Sequence, residues 1–420
     1  MTEISSLAEA NQYLARLYKN ARTKYELDNM RQLMAYLDNP QDKFKAVHVA
    51  GTSGKTSTAY YLSALLTAAG RKTGLTVSPH IDELNERIQI NGQALPEAVF
   101  CRALTDFLRL IEDCPVKPSW FEAMIAFAYW YFPREKVDYA VVEVGLGGLK
   151  DGTNVISRPD KICVITDIGY DHVDVLGETL ADIAAQKAGI VGRQNQVFMY
   201  RQADEVMAAM EQRAGQQRAL IRLVNEAPDQ STRHDGLSKM PDYQRRNWLL
   251  AYDVYQYLIE RDGLTPLTNQ VLRQTRQTLI PGRMETRRTG NKTIVFDGAH
   301  NVQKITALIN SFRHQYPDKK PAVLIALRGG KEHEKIAALL APLTDNVITT
   351  TFEATQDVPV KSMDAAALAK AFLSAGVKDV KVLPDHDAAL QALLEAPEDL
   401  ALITGSFYLL SQIRNNKHLV

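Results

Sequence analysis

The run HVAGTSGKTST at 48–58 sets Gly51, Gly54 and Lys55 among hydroxyl side chains directly after a β-branched stretch. Backbone amides in such a turn face one spot and a following helix adds its positive end, so a phosphate group is favoured there. Lys55 is placed to reach the outer phosphates, and Thr56 or Ser57 to approach a bound Mg²⁺. The spacing is G-x-x-G-K-T, shorter than the usual phosphate loop, because Val49 stands where that motif has its first glycine. The competing reading of the stretch is a solvated turn.

Other reactive side chains cluster at expected strand ends. VDYAVVEVGLGG (137–148) sets Glu143 near the carboxyl end of a buried strand, where open parallel sheets bind their ligands, so Glu143 is either a Mg²⁺ ligand or half of a salt bridge. TDIGYDH (166–172) brings Asp167, Asp171 and His172, and the imidazole is either a metal ligand or structural. In LADIAAQKAGI (180–190), Lys187 shares an apolar helix face with Leu180, Ile183 and Ala184, where a lysine must be paired, modified or reach back to solvent. PGR (281–283) offers the planar donor fork of Arg283, and FDGAHN (296–301) places Asp297 and His300 between a strand and a helix. No G-x-S-x-G elbow is present, so the chain has no obvious serine nucleophile.

The elements that must position these residues alternate. KAVHVA (45–50), KTGLTV (72–77), YAVVEV (139–144), KICVIT (161–166) and NQVFMY (195–200) read as strands, with helices such as Thr56–Ala69 and Leu180–Ile190 between them. That order predicts an α/β fold built on parallel sheets. The polar stretch PGRMETRRTGNKT interrupts the alternation, which resumes in AVLIALRGG, NVITTTF, VKVLP and DLALITGS, with a helix over Lys361–Ala375. A boundary near residue 288 is expected, giving domains 1–288 and 289–420, with helices over residues 1–45 and an irregular stretch over 201–243.

Composition narrows the class. Across 420 residues, 49 basic side chains balance 49 acidic ones, and a dedicated nucleic-acid binder would need a basic surplus. The N-terminus lacks a basic-then-apolar signal, and AMIAFAYWYF (123–132) is about half the ~20 residues that span a bilayer. Cys101, Cys114 and Cys163 have no CxxC spacing, which points to structural thiols in a reduced, cytoplasmic protein.

In their order along the chain these motifs resemble the Mur ligase superfamily, and within it the folylpolyglutamate synthase and dihydrofolate synthase family. The resemblance rests on LDNPQDKFKAVHVAGTSGKTST, TGLTVSPHIDELNERIQING, WFEAMIAFAYWYF, EVGLGGLKDGTN, ITDIGYDHVDVLGETLADIAAQKAGI, YQRRN, PGRME, FDGAHN and TGSFYL. The second of these discriminates best, because cell-wall Mur ligases do not usually share it. The resemblance implies a P-loop ATPase domain followed by a smaller Rossmann-like domain that closes over the active site. It implies that Gly51, Thr52, Ser53, Gly54, Lys55 and Thr56 cradle ATP, that Ser78, Glu143 and His172 hold Mg²⁺, and that carbamylated Lys187 helps hold a second ion. Asn247, Arg283 and Asp297 would contact nucleotide, and His300 would sit near the γ-phosphate and the incoming glutamate. The chain departs from the pattern at Ser53, Thr56, Leu149, Lys150, Gln186 and Pro241, and TTTFEATQDVP replaces a Thr…Arg signal of the second domain.

The chemistry expected is ATP-dependent amide formation, in which a folate or dihydropteroate carboxylate takes the γ-phosphoryl group and L-glutamate then displaces phosphate. The substrate's own carboxylate is the nucleophile, which accounts for the missing catalytic Ser. A monomer acting on small molecules, with no nucleic-acid or membrane partner, is expected. Two other readings remain open here: a Mur-type ligase acting on another carboxylate, and a nucleotide-binding paralogue without ligase activity.

Overall fold

A computed structural model describes residues 3–18, 26–225, 236–329, 332–354 and 360–419. The chain forms two compact units, one of Met1–Leu237 with Gln244–Thr278, the other of Ser238–Tyr243 with Leu279–Val420.

In the first unit, α1 (Leu7–Tyr18) and α2 (Asp28–Tyr36) lead into β1 (Lys45–Ala50), α3 (Lys55–Ala68), β2 (Thr73–Thr76) and the hairpin of β3 (Ile88–Ile90) and β4 (Gln93–Ala94). Then follow α4 (Glu97–Leu110), α5 (Trp120–Arg134), β5 (Tyr139–Glu143), β6 (Ile162–Ile165), α6 (Val173–Leu176) and α7 (Leu180–Ala188). The series continues with β7 (Gln196–Met199), α8 (Asp204–Gln217), β8 (Leu220–Leu223), α9 (Asp242–Asp262, in this unit from Gln244 onward) and α10 (Asn269–Arg276). The strands form one sheet in the order β4-β3-β2-β5-β1-β6-β7-β8, parallel from β2 to β8 and antiparallel at the β3 edge.

β2, β5 and β6 are buried at every position, and β1 at all but Lys45. Strands covered on both faces need apolar residues throughout, so these read as continuous runs rather than alternations. The apolar α5 begins at a capping box between Ser119 and Glu122 and packs its aromatic residues into the core with Phe44, Phe100 and Phe107. Among the described residues no helix is long and apolar enough to cross a membrane. All three cysteines are free and buried.

The second unit contains β9 (Glu285–Thr289), β10 (Lys292–Asp297), α11 (Val302–Gln315), β11 (Ala322–Ile325), α12 (His333–Leu340), β12 (Asn346–Thr349) and the small pair β13 (Glu353–Ala354) and β14 (Val360–Lys361). It ends with α13 (Ala365–Ser374), β15 (Asp379–Val382), α14 (His386–Glu395), β16 (Leu400–Thr404) and α15 (Phe407–Ile413). Its sheet runs β15-β12-β11-β16-β10-β9, parallel except for β9.

The polar stretch at the expected boundary holds β9, an antiparallel partner of β10, and the chain passes into the second unit at Leu279, within about ten residues of 288. Its charged residues are tolerated because buried Glu285 accepts from Arg414 Nη2 at 3.0 Å and from Arg287 Nε at 2.8 Å. Two local expectations are corrected. The stretch after residue 200 is not irregular where it is described, since it holds α8 and β8; residues 226–235 lie outside the described residues. The helix expected from Lys361 begins at Ala365, capped by the Asp364 carboxylate, while Lys361 belongs to β14.

Candidate active site

β1 lies between β5 and β6 in a register that sets Val49 opposite Glu143 and Ala50 opposite Ile165. Three strand ends therefore deliver the loop 51–54, Glu143 and Asp167 to one edge of the sheet. The loop is held from below. Thr52 N and Ser53 N donate to the Asp167 carbonyl at 2.8 and 3.2 Å, and the Thr52 hydroxyl donates to Gly169 O at 2.9 Å. Those two amides are thus turned onto protein, whereas the amides of the first turn of α3 have no partner inside the helix. Gly51 is unreplaceable on space alone, because a Cβ would stand 1.8 Å from Thr166 Oγ1. Gly54, with φ +89°, caps α3, and a Cβ there would come 2.5 Å from Asn247 Oδ1.

Glu143 is buried and already gathers the expected metal-side residues. Thr56 Oγ1 donates to its Oε1 at 2.8 Å, and Ser78 N donates to its Oε2 at 3.1 Å. Thr56, a departure from the family pattern, is thus the hydroxyl that meets the carboxylate. Lys55 Nζ and Lys187 Nζ both donate to the Gly51 carbonyl, at 3.1 and 2.9 Å. The buried Lys187 is carried there by α7, which starts at a Thr179–Asp182 capping box and receives Leu149 N on Gln186 O at 2.7 Å. His172 adopts φ +52° at the start of α6; its side chain is 45% exposed, with Nε2 3.9 Å from Asp171 Oδ1.

Among the described residues no three His, Cys, Asp or Glu side chains assemble as a ready-made metal centre. The donors that do meet, a carboxylate and a hydroxyl beside the loop 51–54, are hard oxygens. They fit Mg²⁺, which takes one or two protein carboxylates and completes its shell from phosphates and water.

Two supports were not foreseen from sequence. Arg246, beside Asn247 in YQRRN, pairs with Asp167 (Nη2–Oδ1 2.9 Å) and lies 3.9 Å over the Tyr200 ring, so it braces the residue whose carbonyl holds the loop. Asp151 receives Leu146 N at 2.8 Å and Thr153 N at 3.0 Å, tying down the glycine-rich turn after Glu143. Thr153 Oγ1 donates to the same carboxylate and meets His48 Nε2 at 2.8 Å. Burial pushes the Asp151 carboxyl up and the His48 imidazole well down from their ordinary values.

Arg283, Asp297 and His300 lie in the second unit, and Asn247 in the first. Arg283 lies 4.1 Å over the Phe407 ring. Asp297 is buried and accepts from Met284 N at 3.0 Å and Ala299 N at 2.9 Å, and also from the Tyr243 hydroxyl. Burial raises its pKa while the Arg283 charge opposes that rise. Its oxygens thus tie the turn before β9 to the end of β10.

Residues 126–245 match the Mur ligase middle domain, and residues 282–407 the Mur ligase glutamate ligase domain. The chain is 31% identical over 402 residues to the dihydrofolate synthase/folylpolyglutamate synthase of Mycobacterium tuberculosis, covering 87% of this chain and 82% of that protein. It is 32% identical over 409 residues to the folylpolyglutamate synthase of Lacticaseibacillus casei, covering 91% and 92%. Among solved structures, Mycobacterium tuberculosis folylpolyglutamate synthase complexed with ADP matches with a TM-score of 0.83 at 27% identity over 98% of each chain. With both Mur ligase domains in one order and 31–32% identity to these relatives over most of its length, the chain belongs to the folylpolyglutamate synthase/dihydrofolate synthase family of ATP-dependent Mur-type ligases.

Proposed function

We propose that this protein joins L-glutamate to a folate carboxylate, with dihydropteroate as a second acceptor, by way of an acyl phosphate formed at the expense of ATP. The observation that carries the reading is the Thr56–Glu143 pair set against the phosphate loop, 2.8 Å between oxygens. The first step brings a carboxylate against a triphosphate, so like charges must be offset. Lys55 and the first-turn amides of α3 do this for the phosphates. Bound Mg²⁺ supplies further charge compensation, and the residues that would hold it are Glu143, Ser78 and Thr56, with His172 and a carbamylated Lys187. Arg283, Asn247 and Asp297 are assigned to the nucleotide's surroundings, and His300 to the incoming amine. The acyl carbon then passes from phosphate to nitrogen, forming the amide and releasing phosphate. Buried free thiols and balanced charge support a cytoplasmic monomer that works on small molecules.

Purified protein incubated with ATP, Mg²⁺, glutamate and a reduced folate is expected to release ADP only when folate is present and to yield a glutamylated product. Absence of product with both folate and dihydropteroate overturns the reading. A panel of other acceptor acids then identifies the true substrate.

A further inference from the structure

Lys304 stands where helix electrostatics do not favour a cation. It is the third residue of α11, and its backbone N–H donates to the Asn301 cap at 2.9 Å. That end of a helix is positive, and the residue at this position is commonly Glu or Gln, which reaches back to the cap. No acidic residue occupies the first turn of α11. A local rule broken in this way points to a task elsewhere.

Lys304 Nζ lies 3.1 Å from His300 Nε2. The other ring nitrogen, Nδ1, lies 2.9 Å from the Gly298 carbonyl. A carbonyl only accepts, so the ring proton sits on Nδ1 and the Nε2 lone pair receives the ammonium. An imidazolium would instead turn an N–H toward a second cation. The His300 ring meets the edge of Phe407 (centroids 6.4 Å apart), and Arg283 lies over that same ring. PGR and FDGAHN thus converge on the aromatic side chain of TGSFYL, with Arg283 and His300 against it and Lys304 behind the imidazole on its Nε2 side. The Asp297 carboxylate is buried among Met284, Ala299 and Tyr243, and the Arg283 charge bears on it.

We propose that Lys304 is a further substrate-positioning residue, which fixes His300 as its neutral Nδ1–H tautomer and presents a cation to an oxyanion of an incoming substrate. That oxyanion is either the carboxylate of the amino acid or the terminal phosphoryl group of ATP. The proposal rests on the ligase reading above and extends it to a residue that reading does not use. The ammonium has three donors, so it holds the imidazole and an oxyanion together.

The test uses the full-length protein with ¹⁵N-labelled histidine, as wild type, Lys304→Met and Lys304→Arg. Imidazole ¹⁵N shifts are expected to report the Nδ1–H tautomer of His300 in the wild type and a shift toward Nε2–H in Lys304→Met. In steady-state assays, Lys304→Met is expected to raise one KM by about fivefold or more with a smaller change in kcat, and Lys304→Arg to restore most of it. A raised KM for glutamate assigns the carboxylate, and a raised KM for ATP assigns the phosphoryl group. A folded Lys304→Met with wild-type imidazole shifts and both KM values unchanged overturns the proposal. Should the wild type glutamylate nothing, the ligase reading fails, while the imidazole shifts still decide whether Lys304 sets the tautomer.

Discussion

Lys55 Nζ and Lys187 Nζ both donate to one carbonyl, Gly51 O. Carbamylation, proposed above for Lys187, leaves a single ammonium there, and an incoming anion then draws Lys55 away. Lys55→Ala is expected to lower folate-dependent ADP release by at least about 100-fold, the usual order for losing a donor to developing charge. Its melting curve should match the wild type, because the side chain is only half-buried; near-normal turnover would remove Lys55 from the phosphate site. Lys187→Ala is expected to be largely inactive and partly restored by formate or acetate. Failure of that rescue would count against carbamylation. At Glu143 the charge matters more than the shape, so Glu143→Gln should raise the Mg²⁺ concentration for half-maximal activity by about tenfold or more. An unshifted Mg²⁺ titration would exclude the carboxylate as a ligand. The residue types in these motifs were legible from sequence. The meeting of Thr56 with Glu143, and of Lys304 with His300, was not, because side-chain partners depend on neighbours in space.

At the scale of elements, the loop between β1 and α3 is bonded to the Asp167 carbonyl, and Thr166 and Asn247 fill the space beside its two glycines. Gly54→Ala introduces both a left-handed φ for a residue with a Cβ and an overlap with Asn247, so a destabilisation of about 1–3 kcal/mol is expected. Nucleotide protection against thermal unfolding should also be lost. An alanine variant with unchanged melting temperature and unchanged ATP protection would show that the loop has room to move. The central strands could be read directly, since two covered faces demand unbroken apolar runs. The edge strand β9 could not, because its charged residues are stabilised by Arg414, which lies in α15's terminal turn over a hundred residues away. Local pattern reports burial, and β9 is placed by long-range pairing.

For the whole molecule, the balance of 49 basic and 49 acidic groups conceals buried histidines that make stability depend on pH. Burial pushes His80 down to about 2, helped by the Arg87 charge, and pushes His48 well below its ordinary value, helped by Lys161. Both titrate near 6.5 when unfolded, so below about pH 6.5 the unfolded chain binds protons that the folded chain refuses. Stability is then lost as pH falls, by up to about 1.4 kcal/mol per pH unit for each histidine. Melting temperature should drop between about pH 6.5 and 5, and His80→Gln should flatten the drop. A melting temperature that is flat or rising toward acid would contradict the burial assigned to these rings. Sequence by itself determined the alternation of strands and helices and the family, because these depend on residue types at short spacing. The tertiary structure alone decided that Asp167, braced by Arg246, holds the loop and that Asp151 anchors the turn after Glu143. It alone decided, too, that Lys304 caps the imidazole of His300. Each of those relations is a hydrogen bond or ion pair whose geometry exists only after the sheet has set its strand ends side by side and packed its helices against them.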